Sequence, residues 1–305
     1  MYKYLFIAVG MIFISDKIKA QGCSDAGFCS LKYHNIADQK DTTQKKNSIS
    51  LGNVSGIGDG NTFENGTWLT YSRQIGKRFF ADAKITTNYA SGSIANNFNI
   101  GDVFVNLSYE ATKHQSNQSS LKLLAGLKIP LTAGNDKAGG KPLPMTFQSS
   151  LGTFDALLGI NYSIKKFEFT NAYQIPITKQ NKNTYLKEYS VTDDFPSTNN
   201  FERKADVLLR AAYNFNKIGK HIYLKPNLLA IYHVGEDSYE NIFGQRQNLK
   251  GSDGLTLNAN VIANYTINAL SSFGISLATP FIVRDIRPDG LTREFTVAIE
   301  FKISF

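Results

Sequence analysis

The sequence predicts an all-β protein, a transmembrane up-and-down antiparallel β-barrel of about 12 strands. Three observations predict this fold. Apolar and polar residues alternate with period two over segments that reach 11 residues, within the roughly 9–11 that a strand needs to cross a bilayer. The connections between these segments are alternately short and long, and a tyrosine recurs at the end of every second segment.

Composition excludes several other classes of protein. Of the 305 residues, 42% are hydrophobic and the mean hydropathy is -0.23. A polytopic helical membrane protein needs repeated apolar runs of roughly 18 residues, and the longest run here is the 11-residue Tyr4–Ile14. The formal charge of +8 is not concentrated in any stretch, so no nucleic-acid partner is expected.

Residues 1–20 are predicted to be a signal peptide. Lys3 forms a short positive region, Tyr4–Ile14 is an apolar stretch of suitable length, and Ala20 is a small residue at a cleavage position. The chain is therefore expected to be exported to the outer membrane.

Residues 21–45 are polar and are predicted to be a periplasmic leader or a plug in the lumen. Cys23 and Cys29 enclose five residues, which in an exported protein indicates a small disulfide loop. Lipidation of Cys23 is the alternative. A metal site is not expected, because no second cysteine pair exists. Residues 46–305 are predicted to form the barrel.

The predicted strands each have two faces. In residues 79–89, Ala81 and Ile85 lie on an apolar face, whereas Asp82 and Lys84 lie on the opposite one. The predicted strands are 47–55, 66–73, 79–89, 103–109, 121–131, 153–164, 166–177, 204–215, 221–234, 254–267, 272–282 and 293–305.

The connections divide into two sets, as in outer-membrane barrels with short periplasmic turns and long external loops. The short connections are 74–78, 111–118, 164–166, 216–220 and 267–271. The long connections are 56–65, 90–100, 132–150, 178–203, 235–253 and 283–291.

Aromatic residues mark the short-turn end. Amphipathic rings suit the headgroup level of a bilayer, so the recurring tyrosines are predicted to form one aromatic girdle. Its members are Tyr71, Tyr109, Tyr162, Tyr213 and Tyr265. In the last strand, Phe301, Ile303 and Phe305 share one face. This ending is typical of the signal recognised by the barrel-assembly machinery, an expected partner alongside outer-membrane lipid.

Prolines fit the proposed topology, because a residue without an N–H belongs at strand ends or bulges. Pro130, Pro176 and Pro280 fall at the external ends of predicted strands, whereas Pro226 lies early in its strand and is expected to need a bulge.

Short motifs between about residues 100 and 165 resemble a known family. They are Gly101-Asp102-Val103, Leu107-Ser108-Tyr109, Gly126-Leu127-Lys128-Ile129-Pro130-Leu131-Thr132, Gly134 and Gly139-Gly140. The chain here resembles the outer-membrane proteins named for the MetA pathway of phenol degradation, which are thought similar to hydrophobic-substrate channels. The family pattern is a Gly-Asp strand start, a Gly-Leu-x-x-Pro strand end and a glycine-rich loop. This resemblance implies a barrel and a role in transport.

If the apolar faces meet lipid, the polar faces line the lumen. The candidate lumen-lining residues are Asp82, Lys84, Asp102, Lys122, Lys128, Asp155, Glu168, Asp206, Arg210, Lys225, His233 and Glu300. Both signs of charge occur, so a filter for one sign of ion is not expected. These side chains either pair across strands and fill the barrel or line a pore.

One motif points to catalysis. His114-Gln115-Ser116-Asn117 resembles the His-x-Ser-Asn of outer-membrane phospholipase A. A nucleophilic serine needs a nearby base and a group that orients the base. The motif lies in a short turn, and Lys128 stands where the orienting asparagine is expected. No catalytic residue, metal or cofactor is therefore predicted, and a lipid hydrolase is only a remote alternative.

The predicted function is a channel or transporter for small solutes, hydrophobic ones included. The alternative is a non-conducting barrel that is structural or binds an envelope protein partner. Fold alone does not choose between them.

The first testable prediction concerns Lys84. We expect Asp82 or Asp102 to pair with a lysine inside the barrel, and Lys84→Ala would leave a carboxylate unpaired, which is costly when buried. Lys84→Ala should lower the unfolding temperature in detergent more than Lys217→Ala in a short turn. Equal or higher stability of Lys84→Ala would reverse the assignment of the two faces, because removing a charge from lipid stabilises a barrel.

Overall fold

The computed structural model describes residues 46–114, 118–215, 218, 221–289 and 293–305, without the side chains of Arg293 and Glu294. Several predictions fall outside these residues and stay predictions. They are the signal peptide 1–20, the segment 21–45 with Cys23 and Cys29, and the motif residues Gln115, Ser116 and Asn117. None of the helices among the described residues is long and apolar enough to span a bilayer.

The described chain forms twelve long strands and two small hairpins. The long strands are β1 (Asn47–Gly58), β2 (Phe63–Ile75), β3 (Phe79–Ser91), β4 (Asn96–His114), β5 (Ser119–Pro130), β8 (Asp155–Ile164), β9 (Phe167–Pro176), β10 (Asp206–Tyr213), β11 (Ile222–His233), β14 (Gly254–Thr266), β15 (Ser271–Ile282) and β16 (Arg293–Ser304). The hairpins lie in outer connections and comprise β6 (Lys137–Ala138) with β7 (Lys141–Pro142), and β12 (Ser238–Glu240) with β13 (Arg246–Asn248).

The long strands close into an antiparallel barrel in which each pairs with its neighbours along the chain. The first and last strands complete the ring: Ile49 lies opposite Ile303, and Leu51 lies opposite Phe301. No backbone edge is left open, which a bilayer requires. The prediction of a transmembrane up-and-down barrel is confirmed.

Strand residues alternate between lipid and lumen. Leu51, Leu158 and Leu209 project outward and are 56%, 54% and 53% exposed. Their immediate neighbours along the strands point inward: Ser50, Leu157 and Leu208 are buried. A continuous apolar outer surface around a largely polar interior is the arrangement that hydrocarbon imposes on a barrel.

The five girdle tyrosines and the C-terminal residues lie at the short-turn end. Tyr71, Tyr162 and Tyr265 are exposed, Tyr109 and Tyr213 are half-buried, and Phe301, Ile303 and Phe305 are exposed. Neighbouring rings contact one another, with centroids 4.8 Å apart for Phe79–Tyr109 and 5.0 Å for Phe167–Tyr213.

Two of the outer connections are shorter than predicted. The connections predicted at 56–65 and 90–100 comprise only residues 59–62 and 92–95, because β1 to β4 extend further outward. Polar asparagines in these extensions obscured the alternation, yet their backbones continue the pairing to Ser91–Asn96.

Gly101 and Asp102 form a bulge inside β4 rather than the predicted strand start. Ile85 pairs with Val103 whereas Thr87 pairs with Ile100. Thr86 Oγ1 accepts a hydrogen bond from the Asp102 N–H at 2.8 Å. A Cβ on Gly101 would lie 2.4 Å from the same hydroxyl oxygen, so only glycine fits the bulge.

The expected bulge at Pro226 is absent. The register between β11 and β14 runs without a shift through Pro226 and Val261. Pairing between β10 and β11 instead ends at Ala212–Asn227, at the residue that follows the proline. The missing N–H therefore shortens one ladder instead of distorting the strand.

The outward position of Leu158 generates the second prediction. Leu158→Arg should destabilise the folded barrel by about 2–4 kcal/mol, because a charge near the bilayer midplane is placed in hydrocarbon. Ile177→Arg is the matched control, since Ile177 follows the outer end of β9. Urea unfolding in lipid vesicles, read by heat-modifiable gel migration, measures both. Similar losses for the two variants would contradict this depth assignment.

Candidate functional site

The barrel interior and the outer loops folded into it form the candidate site. The structure buries nine of the twelve candidate lumen residues: Asp82, Lys84, Asp102, Lys122, Lys128, Asp155, Glu168, Asp206 and His233. Three are half-buried: Arg210, Lys225 and Glu300. All occupy strand positions that alternate with lipid-facing ones.

An ion pair joins β5 and β8 at the outer end of the lumen. Lys128 Nζ lies 2.8 Å from Asp155 Oδ2, and both side chains are fully buried. Thr153 Oγ1 donates to Asp155 Oδ1 at 2.7 Å, and the Gln174 amide also donates to this carboxylate. Lys128 thus binds a carboxylate at the outer end of β5, whereas His114 lies at the short-turn end of β4.

A second ion pair lies deeper. Lys225 Nζ contacts both carboxylate oxygens of Glu168, at 2.9 and 2.8 Å. It reaches from β11 to β9 across β10, so the bond spans an intervening strand.

Aromatic rings hold charged groups on the opposite side of the lumen. Lys84 Nζ lies 5.2 Å from the ring centroid of Trp68 and 5.3 Å from that of Phe104, within cation–π range. Trp68 Nε1 donates to Glu300 Oε2 at 3.1 Å. The indole fits because Gly52 has no side chain: a Cβ there would lie 2.2 Å from it.

The two aspartates expected to pair with lysines have other contacts as well. Asn106 Nδ2 donates to Asp82 Oδ2 at 2.8 Å, and Ser150 Oγ donates to Asp102 Oδ1. The pairing predicted for Lys84 therefore stays a prediction, whereas its ring contacts were not foreseen.

An apolar wall interrupts the polar lumen. It runs across five consecutive strands and consists of the buried residues Leu124, Leu157, Ala172, Leu208, Leu229 and Ile231. This wall was not predicted from the sequence. Its signal is an apolar pair that breaks the alternation, as in Leu157-Leu158 and Leu208-Leu209, where one member faces lipid and the other faces the lumen.

The long outer connections fold into the mouth of the barrel. In the connection 131–154, the Ser149 carbonyl accepts a hydrogen bond from Asn88 Nδ2 at 2.6 Å, while Ser150 contacts Asp102. Asn88 and Asp102 belong to inward-facing strand positions. We name the described residues of 131–154, 177–205, 234–253 and 283–289 the outer cap.

Two asparagines join the first two loops of the outer cap. Asn181 Nδ2 donates to the Leu151 carbonyl at 2.9 Å, and Asn183 Nδ2 donates to the Gly134 carbonyl at 2.8 Å. The Asn183 Oδ1 in turn accepts from Thr198 Oγ1 at 2.8 Å.

The outer cap contains its own apolar core. One cluster consists of Ala90, Leu143, Phe147, Tyr185 and Phe195, and another consists of Met145, Leu151, Phe201 and Leu249. Burial of the Tyr185 ring raises the pKa of its hydroxyl. Loops that bury aromatic side chains in this way are ordered, and they occupy the outer mouth.

A buried charge network ties the outer cap to β10 and β11. The Arg203 guanidinium contacts Asp206 and lies 3.4 Å from Asp289 Oδ2. Arg284 Nη2 lies 2.9 Å from the same Asp289 oxygen. His233 binds Asp206 Oδ1 through Nδ1 at 2.6 Å, and binds Asp237 Oδ1 through Nε2 at 2.7 Å. We name these six residues the rim network.

Within the rim network, oppositely charged groups support each other's charge. Burial alone would lower the pKa of Arg203, but Asp206 and Asp289 outweigh it and hold that pKa above its usual range. Burial would raise the pKa of Asp289, but Arg284 and Arg203 hold it below its usual range. Imidazole donates from both nitrogens only when protonated, so the two carboxylates favour charged His233.

The rim network generates the third prediction. Because the pKa of Asp289 is depressed by folding, its ion pairs stabilise the protein above the pKa of the unfolded chain, and this stability is lost as the pH falls through the folded pKa. Asp289→Asn should destabilise the protein by about 3–5 kcal/mol at neutral pH and reduce the loss of stability in acid.

Asp253→Asn is the control, because Asp253 is exposed in the same region. The measurement is urea unfolding in detergent as a function of pH. An Asp289→Asn protein as stable as Asp253→Asn at neutral pH would contradict this role of the network.

No protein-family model matches the chain, and no curated protein matches it in sequence. Among solved structures, the fold is similar to an outer membrane channel from Pseudomonas putida F1, with a TM-score of 0.59 and 12% identity over 88% of this chain and 98% of that chain. The translocator domain of autotransporter NalP from Neisseria meningitidis has a TM-score of 0.48 and 11% identity over 88% of this chain and 92% of its own, a score too low to carry an argument. At 12% identity, what is shared is the architecture of an outer-membrane barrel.

Proposed function

We propose that this chain is an outer-membrane channel for small solutes. The observation that carries the proposal is a closed barrel whose lumen combines charged groups of both signs with an apolar wall. Twelve strands enclose more space than the eight-stranded barrels that side chains fill, and less than the 16–18-stranded porins. A lumen of intermediate width suits small solutes.

The composition of the lumen supports amphipathic solutes as the substrate class. Polar positions of the strands that carry the apolar wall offer ion-paired groups such as Lys225 with Glu168. The apolar wall at Leu157, Leu208 and Leu229 can contact the hydrocarbon parts of such a solute. The motifs near residues 100–165 support the proposed relation to the MetA-pathway family.

A hydrolase is not proposed. His114 ends β4 at the short-turn end and is exposed. Lys128 stands where the phospholipase pattern has its orienting asparagine, and it binds Asp155 near the outer end of the barrel. Lys128 therefore does not orient His114 in the base–orienter arrangement that an activated serine needs.

The fourth prediction tests conduction in planar bilayers. Full-length protein should give reproducible single-channel openings, and replacing residues 184–196 by a short Gly-Ser linker should increase the conductance. The replacement removes Tyr185 and Phe195 from the apolar core of the outer cap, so the mouth is less obstructed.

Deletion of residues 242–244 is the matched control. These residues form the exposed tip of the hairpin β12–β13, so their loss should leave the conductance unchanged. Silence from both the full-length protein and the 184–196 variant, in samples that show heat-modifiable migration, would favour a filled barrel and contradict the proposal.

A further inference from the structure

The short-turn end of the barrel has an unusual charge distribution. The five connections there are residues 76–78, 115–118, 165–166, 214–221 and 267–270, and their sequence contains no Asp or Glu. Their Lys and Arg residues are Lys77, Arg78, Lys165, Lys166, Lys217 and Lys220. The connections of the opposite end, by contrast, contain acidic and basic residues in similar number.

Several of these cations lie beside the tyrosine girdle. Arg78 Nη1 donates to the Tyr109 hydroxyl at 3.3 Å, and Lys166 Nζ lies 5.9 Å from the ring centroid of Tyr213. The girdle tyrosines and these two cations are therefore at the same height on the barrel.

A third cation projects from a strand. Arg73 is exposed on the outward face of β2, two residues beyond Tyr71 toward the short turn. Two strand residues correspond to about 7 Å along the strand, which places Arg73 on the headgroup side of the Tyr71 ring. We name Arg73, Arg78 and Lys166 the inner basic rim.

The inner basic rim is available to a ligand. Arg73 and Arg78 are exposed and Lys166 is half-buried. The outward positions beside them carry tyrosines, phenylalanines and aliphatic residues, such as Phe79, Tyr109 and Phe167. Cations placed just beyond an aromatic belt on a lipid-facing surface meet lipid headgroups and attract anionic lipids electrostatically.

We propose that the inner basic rim binds the phosphate groups of anionic phospholipids in the leaflet at the short-turn end. The tyrosines contact the upper part of the acyl region while Arg73, Arg78 and Lys166 pair with phosphate oxygens, for which guanidinium groups are well suited. Lipid of this kind would hold the barrel at one height and one orientation. The proposal is independent of conduction.

The test measures lipid binding directly. Detergent-purified full-length protein is titrated with phosphatidylglycerol or with zwitterionic phosphatidylcholine, and bound lipid is counted by native mass spectrometry. Phosphatidylglycerol should bind more tightly. The variant R73Q/R78Q/K166Q should bind it at least about tenfold more weakly, because each basic residue near an anionic headgroup contributes to the attraction.

Two further variants make the test specific. K141Q/K182Q/K250Q removes the same number of charges from exposed lysines of the opposite end and should leave binding unchanged. R73K/R78K retains the charges and should keep most of the binding even if the guanidinium geometry is lost. Heat-modifiable migration checks that each variant is folded.

Three outcomes would overturn the proposal. If the unaltered protein bound phosphatidylglycerol and phosphatidylcholine equally well, it would have no selectivity for anionic lipid. Equal losses in R73Q/R78Q/K166Q and K141Q/K182Q/K250Q would show an effect of net charge. Tight binding of polyglutamate together with no preference between the lipids would assign the inner basic rim to a soluble anionic partner.

Discussion

Satisfaction of backbone hydrogen bonds in hydrocarbon is the constraint on which the rest of this structure depends. A bilayer offers no partner to a free N–H or C=O group, so a sheet inside it must close. Pairing of β1 with β16, from Ser48–Ser304 to Gly58–Arg293, achieves this closure. Once the sheet is closed, each strand has one face toward lipid and one toward the lumen, and the period-two pattern follows.

This constraint explains what could be predicted from the sequence. The number and order of the strands, and the face that each residue presents, were predicted. They follow from bilayer thickness and pleat geometry, which act on every strand alike. The outward extensions of β3 and β4 were not predicted, because Asn97 and Asn99 resemble loop residues, although the exposed Phe98 and Ile100 alternate with them. There, local contacts decide the structure, such as Asn97 and Asn99 donating to Asp136.

The candidate site was predictable only in part, for a related reason. Alternation identifies an inward position but does not identify its partner across the lumen. The contact of Lys225 with Glu168 spans 57 residues of sequence, and that of Arg203 with Asp289 spans 86. The apolar wall does leave a local signal, since a leucine pair such as Leu208-Leu209 places one side chain on each face.

Charged side chains are buried in pairs at one end of the barrel and exposed at the other. At the outer end, the rim network buries its charges in mutual contact, and the cost of desolvation offsets much of what such buried pairs add to net stability. Removal of one partner is therefore costly even where the network as a whole contributes little. At the short-turn end, Arg73 and Arg78 stay exposed, so their charges are available to groups outside the protein. A barrel with a buried, mutually paired charge network at its outer mouth and exposed cations at its short-turn end differs in electrostatics along its axis. This difference and the outer cap distinguish the two ends of the barrel.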